Sequence, residues 1–213
     1  MTKKPQVEIT GWEARHYDRF LNLISLDRYG GLIGRAINDL QLRPEEIVMD
    51  LGAGTGRMVR LMLQQMNKQG RIYALEVGEE MKAHLFELQK SDARLIIIHQ
   101  RIEEPFLLPV QATLVFISFV LHGLHQHHRL QVIQNVHQNL QVGGRFCILD
   151  YNHFSLENAP WYVRLGIRHI ECETTEDFIT RDWPSLLPER GFSNIQLRRY
   201  ARGYIRLLCC QKL

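Results

Sequence analysis

Apolar residues recur every three to four positions along residues 12–40, at Tyr17, Phe20, Leu21, Ile24, Leu32, Ile33, Ile37 and Leu40. That period predicts a helical segment, and Gly30-Gly31 predicts a break inside it. Beyond Pro44 the pattern changes. Residues 47–51 are a short apolar run ending in glycines, as expected of a buried strand in a parallel sheet. A helix over 58–66, a strand over 71–75, a helix over 79–90 and an isoleucine-rich strand over 94–98 follow. The alternation continues with a strand over 112–118, a helix over 126–140 and a strand over 145–149. Strands alternating with helices predict right-handed crossovers and a mostly parallel sheet with helices on both faces.

The last third reads differently. Residues 157–168 are aromatic and amphipathic, and 174–189 are helical but interrupted by Pro184 and Pro188. Residues 194–200 and 204–210 read as a strand pair joined at Arg202-Gly203. No repeat or linker divides the chain, so one domain over 1–213 is expected.

Composition narrows the class. Hydrophobic residues make up 45% and charged residues 23% of 213, ordinary values for a globular chain. A net charge of +3 forces no basic face, so no nucleic-acid partner is expected. The longest apolar stretch, 112–121, is about half the ~20 residues a membrane-spanning helix needs. The N-terminus lacks the apolar core of a signal peptide, so a cytoplasmic location is expected. Cys147, Cys172, Cys209 and Cys210 contain no Cys-x-x-Cys pair, so neither a zinc site nor a disulfide framework is expected.

The chemistry concentrates at Asp50-Leu51-Gly52-Ala53-Gly54-Thr55-Gly56. Its glycines let backbone approach a ligand, and its place at a strand end puts it where open parallel sheets bind ligands. The spacing is Gly-x-Gly-x-Gly with an acid two positions ahead, not the Gly-x-Gly-x-x-Gly of dinucleotide sites. That argues against a nicotinamide-dependent oxidoreductase. Glu76 ends the next strand, where a carboxylate can accept hydrogen bonds from two ribose hydroxyls.

The Asp-x-Gly-x-Gly-x-Gly arrangement resembles motif I of the class I S-adenosylmethionine-dependent methyltransferases. Val142-Gly143-Gly144 resembles the turn before their fifth strand, and Gly191-Phe192 the approach to their sixth. Ala14-Arg15-His16-Tyr17-Asp18 resembles the N-terminal signature of the ubiquinone/menaquinone biosynthesis C-methyltransferase group. The resemblance implies a Rossmann-like fold: a seven-stranded mostly parallel sheet with an antiparallel C-terminal strand. It implies an N-terminal helical lid over 1–43, a cofactor core over 44–150, substrate-side helices over 151–190 and a strand pair over 191–213. It assigns the cofactor site to Tyr17, Asp50, Gly52, Ala53, Gly54, Thr55, Gly56, Glu76, Val77, Met81, Arg101, Ile102, Ser118 and Phe119.

Two departures stand out. Where the family often carries an adenine-contacting Asp, this chain has Arg101, which cannot accept a hydrogen bond. Where quinone-pathway enzymes carry an Asn-Arg segment, it reads Ser118-Phe119-Val120-Leu121-His122.

His122, His125, His127 and His128 form a cluster after the fourth strand. A metal site is not expected, because no acid or cysteine has matching spacing. His122 is a candidate general base, with Tyr151 as the second catalytic candidate and Asp150 and His153 beside it. Trp161, Tyr162 and Ile167 are expected to pack the core. The expected activity is methyl transfer from S-adenosylmethionine to a small molecule, giving S-adenosylhomocysteine. The alternative is a non-catalytic cofactor-binding module or partner subunit. A homodimer is compatible with either.

Overall fold

The computed structural model describes residues 28–169 and 174–213. The expectations for Tyr17, most of the lid and Cys172 lie outside them.

Helix α1 (Arg28–Asp39) runs without interruption through Gly30 and Gly31, correcting the expected break. A glycine in a helix interior costs about 1 kcal/mol. Burial of Leu32, Ile33, Ala36 and Ile37 on one face, with Leu40 just beyond, outweighs that.

Strand β1 (Ile47–Leu51), α2 (Arg57–Leu63), β2 (Arg71–Leu75), α3 (Glu79–Ser91) and β3 (Leu95–Ile98) follow. Then come β4 (Ala112–Ser118), a 3-10 turn (Leu121–Gly123), α4 (Gln126–Asn139) and β5 (Leu140–Tyr151). Helices α5 (Trp161–His169), α6 (Thr174–Ile179) and α7 (Trp183–Leu186) precede β6 (Phe192–Tyr200) and β7 (Ile205–Lys212).

The seven strands lie in the order β3-β2-β1-β4-β5-β7-β6. The β3-β2-β1-β4-β5 pairings are parallel, and β7 runs antiparallel between β5 and β6. This is the Rossmann-like sheet the resemblance implies.

Strand side chains alternate between two cores. Val48, Ile72, Leu114, Phe116, Cys147, Leu149 and Leu207 meet residues of α1, α2 and α3. Met49, Val115, Ile117, Phe146, Ile148 and Leu208 meet residues of α4, α6 and α7. Strand β5 begins five residues earlier than the 145–149 run predicts, with Gly143 at φ +74° inside it. The register against β4 shifts there, as at a bulge.

The expectation of no disulfide is corrected at one pair. Cys147 on β5 lies directly opposite Cys209 on β7, and the two are bonded. Their separation of 62 residues left no local spacing to read. The remaining described cysteine, Cys210, is buried on the other face, and burial pushes its thiol up to about 12.

The lower edge of the sheet is closed by polar bonds. Glu46, 1% exposed, accepts from Arg43 N at 2.9 Å, Thr113 Oγ1 at 3.0 Å and Arg145 Nη2 at 2.8 Å. Burial opposes ionisation there, but these bonds hold the Glu46 carboxyl below its ordinary value. The ends of β1, β4 and β5 are thereby tied, and the opposite edge is left for binding.

Candidate active site

The glycine loop forms where β1 ends beside β2. Gly52 N and Ala53 N both donate to Leu75 O, at 2.9 and 3.1 Å. Gly52 has φ +73°, and a Cβ there would lie 2.7 Å from Val120 Cγ2. Close approach and backbone conformation both exclude anything but glycine. At Gly54, with φ +57°, a Cβ would meet nothing within 4 Å, so this turn borders open space where a ligand can approach. Gly52→Ala is expected to lower the melting temperature by several degrees and to abolish detectable cofactor binding in calorimetry.

Glu76 is fixed by backbone. Its Oε2 accepts from Gly54 N at 2.9 Å, and its Oε1 from Val77 N at 2.9 Å and Gly78 N at 2.7 Å. Loop and strand end are thus one unit. Met81, 4% exposed on the first turn of α3, lies against Gly78.

Asp50 is the unusual residue. It is fully buried, and neither carboxylate oxygen has a hydrogen-bond partner in the protein. Burial, with the nearby Glu76 charge second, pushes its carboxyl up to about 7. A buried orphan acid at a ligand-binding edge calls for a cationic or donor group from outside the chain. The ammonium of S-adenosylmethionine is such a group, so the residues fit this cofactor.

The rest of this sheet edge is formed by the ends of β4 and β5. Phe119 leaves β4 in the left-handed region, at φ 53°, and turns the chain into the 3-10 segment carrying His122. His122 Nδ1 is 2.8 Å from Asp150 Oδ1, and His122 N donates to Asp150 Oδ2 at 3.3 Å. A carboxylate only accepts, so Nδ1 carries the proton and Nε2 is the basic nitrogen. Asp150 is 1% exposed, and Tyr151 N also donates to it, at 2.7 Å. The His122 ring stands edge-on to Tyr151, with centroids 5.2 Å apart, and Tyr151 meets Phe119 at 6.4 Å. The arrangement sets a histidine ring against a buried carboxylate, at the same sheet edge as the loop that follows Asp50.

The chain brings Asp50, the glycines, Glu76, Val77, Met81, Ser118, Phe119, His122 and Tyr151 to one edge of the sheet. Arg101 is turned to Glu103, with Nε 2.8 Å from Oε1, while Ile102 packs into the second core. Thr55, at the turn before α2, remains part of the loop. His127 is exposed on the first turn of α4, as expected. His128 departs from that expectation: its Nδ1 is buried without a partner, and burial lowers its pKa. Among the described residues no group of three His, Cys, Asp or Glu is placed to hold a metal. Ile167 packs inward, but Trp161 is 70% exposed, which corrects the expected packing of that ring.

Two features escaped the sequence. Asp150 has no marker of its own as the partner of His122. Arg129 is fully buried in α4 and bonded to the turn that carries His122. Its one trace is its place one helical step before the buried Val132 and Ile133, on a face that should be apolar.

Comparison with known proteins agrees with this geometry. Residues 48–144 match the family model of a methyltransferase domain. A 2-phytyl-1,4-naphtoquinone methyltransferase of Thermosynechococcus vestitus is 23% identical over 227 residues, covering 92% of this chain and 94% of its own. An uncharacterized methyltransferase of Synechocystis sp. is 31% identical over 97 residues, 45% of each chain. The fold is shared with a SAM dependent methyltransferase from Aquifex aeolicus, at TM-score 0.63 and 14% identity, covering 85% of this chain and 89% of that one. It is also shared with human N-acetylserotonin methyltransferase, at TM-score 0.67 and 15% identity, covering 94% of this chain and 56% of that one. Residues 48–144 thus match a methyltransferase domain, on a fold shared with S-adenosylmethionine-dependent methyltransferases. That domain supports methyl transfer as the activity, with S-adenosylmethionine as the cofactor. Nothing in the fold or the relatives favours the non-catalytic alternative.

Proposed function

We propose that the acceptor carries an ionisable hydroxyl, as a phenol or a reduced quinone does, and that His122 removes its proton. The observation that carries this reading is the His122–Asp150 pair at the ligand edge, 2.8 Å between ring nitrogen and carboxylate. A base is of use only where the acceptor must lose a proton. The relative whose name prints a naphthoquinone substrate supports this class.

S-adenosylmethionine supplies a methyl carbon already activated on a sulfonium. Asp50 takes the ammonium of its methionine part. Glu76, held by the loop amides, would accept from the ribose hydroxyls with its remaining lone pairs, and Val77, Met81 and the backbone at Arg101 and Ile102 would border the adenine. Ser118 and Phe119 would form the floor between cofactor and acceptor. His122 Nε2 takes the hydroxyl proton, with the Nδ1–H held by Asp150. The deprotonated acceptor would then be held in line with the activated methyl group, with S-adenosylhomocysteine as the leaving product. Positioning and exclusion of water by Phe119, Tyr151 and the helices above them supply the rest.

No described helix is long and apolar enough to cross a membrane. We place the enzyme in the cytoplasm, acting on a small molecule rather than nucleic acid. The test is transfer of isotopically labelled methyl from S-adenosylmethionine to a panel of phenols, reduced quinones, thiols and amines. Labelling of thiols or amines alone would falsify the hydroxyl reading. Glu76→Gln is expected to weaken cofactor binding tenfold to a hundredfold, since a charge-assisted bond is worth about 1.5–3 kcal/mol. Calorimetry with S-adenosylhomocysteine measures it, and an unchanged affinity removes Glu76 from the site.

A further inference from the structure

Arg129 is a fully buried arginine outside the cofactor loop. Nε donates to Leu121 O at 2.9 Å, and Nη2 donates to His122 O at 3.2 Å and to Thr174 O at 2.8 Å. Nη1 donates to Asp177 Oδ2 at 2.5 Å and to Gln126 Oε1 at 3.3 Å. Its guanidinium carbon lies 5.1 Å from the centroid of the Phe178 ring. Thr174 Oγ1 donates to the same His122 carbonyl at 2.7 Å.

Burying an arginine in place of an apolar residue gains nothing by itself in stability, because the desolvation cost is of the same order as the attraction recovered. Here burial even lowers its pKa, despite the bond to Asp177. What the planar fork supplies is geometry: five fixed donors can hold several oxygens at once. Apart from Gln126 Oε1 on its own helix, the oxygens it holds belong to the turn carrying His122 and to α6. His122 is thus clamped at its carbonyl by Arg129 and Thr174, and at its amide and ring by Asp150.

We propose that Arg129 is a positioning residue that sets the ring of His122 against Asp150 by bonding the 3-10 turn to α6. The proposal rests on His122 being the base. It makes α6 part of the base's support: when Thr174 and Asp177 are seated, the Nδ1–H bond to Asp150 is in line. Loss of the fork frees the turn, and the imidazole exchanges between its two protonated forms. Asp177 is shared with Arg181, at 2.5 Å, so its removal loosens the clamp less than removal of Arg129.

The test is nitrogen NMR of the histidine rings in the full chain saturated with S-adenosylhomocysteine. The His122 signal is identified as the one missing from His122→Gln among 10 histidines. The parent is expected to show a single Nδ1–H form at His122. Arg129→Met is expected to lose that single form and show both, with cofactor affinity within twofold of the parent. Arg129→Lys keeps the charge without the fork, and is expected to do the same if the methionine variant does not fold. Asp177→Asn is expected to keep the Nδ1–H form. A single Nδ1–H form in either arginine variant overturns the proposal. If the form changes in Arg129→Met while His122→Gln methylates the labelled phenols at the parent rate, positioning stands and the base reading falls.

Discussion

Asp50→Asn is expected to melt about 5–10 °C higher than the parent at pH 8, and to bind S-adenosylmethionine about a hundredfold more weakly. The two effects have one origin. Asp50 is buried without a partner, and its carboxyl is raised from 3.8 to about 7. A folded-state pKa above the unfolded one means that the fold keeps its full stability from this group below about pH 4, and loses it as pH rises to 7. The loss is about 4 kcal/mol at roughly 1.4 kcal/mol per unit. Asparagine carries no charge to bury, so the gain is large at pH 8 and vanishes near pH 4. An incoming ammonium reverses the balance by giving the carboxylate its partner. Cofactor affinity in the parent is therefore expected to fall about tenfold per pH unit below 7, because the proton on Asp50 must leave first. Melting curves and calorimetry across pH 4–8 check both halves. If the asparagine protein is less stable than the parent at pH 8, the orphan-charge account is wrong.

His122→Gln is expected to lower turnover by about 10²–10⁴ with the hydroxyl acceptor, while leaving cofactor affinity within a factor of about two. Glutamine keeps the size and polarity of the side chain and removes the basic nitrogen. Asp150→Asn is expected to fall in the same range, since an amide at this place no longer favours the Nδ1–H form. Single-turnover rates with labelled cofactor measure both. Equal rates in parent and glutamine variant would leave proximity alone to account for catalysis.

The legible parts of the fold were those encoded locally. The 47–51 run became β1 with the same ends, because a short apolar run followed by glycines leaves few alternatives. Strands at 71–75 and 112–118 matched for the same reason. Gly30-Gly31 misled because propensity is weaker than the apolar face that α1 buries. The early start of β5 depended on a bulge against β4, which no period in β5 records.

The site divides along the same line. The positions of Asp50, Gly52 and Glu76 at the sheet edge are legible because loop spacing and strand order set them. The role of Asp150 depends on a contact across 28 residues, and that of Arg129 on one across 48. Cys147 and Cys209 meet only because β7 doubles back beside β5. Contacts of that kind follow from register, and register is settled by the whole sheet.

The place of β7 has a further consequence for biosynthesis. It lies between β5 and β6, so the strand carrying Asp150 has an open edge until residues 205–212 leave the ribosome. The nascent chain can complete β1 to β4 early, but the half carrying His122 and Asp150 waits for β7, made after the six other strands of the sheet. Chain made but not yet closed is the form most exposed to strand-edge aggregation. Substitutions in β7, far in sequence from the glycine loop, are therefore the ones that should lower soluble yield more than they lower the stability of protein already folded.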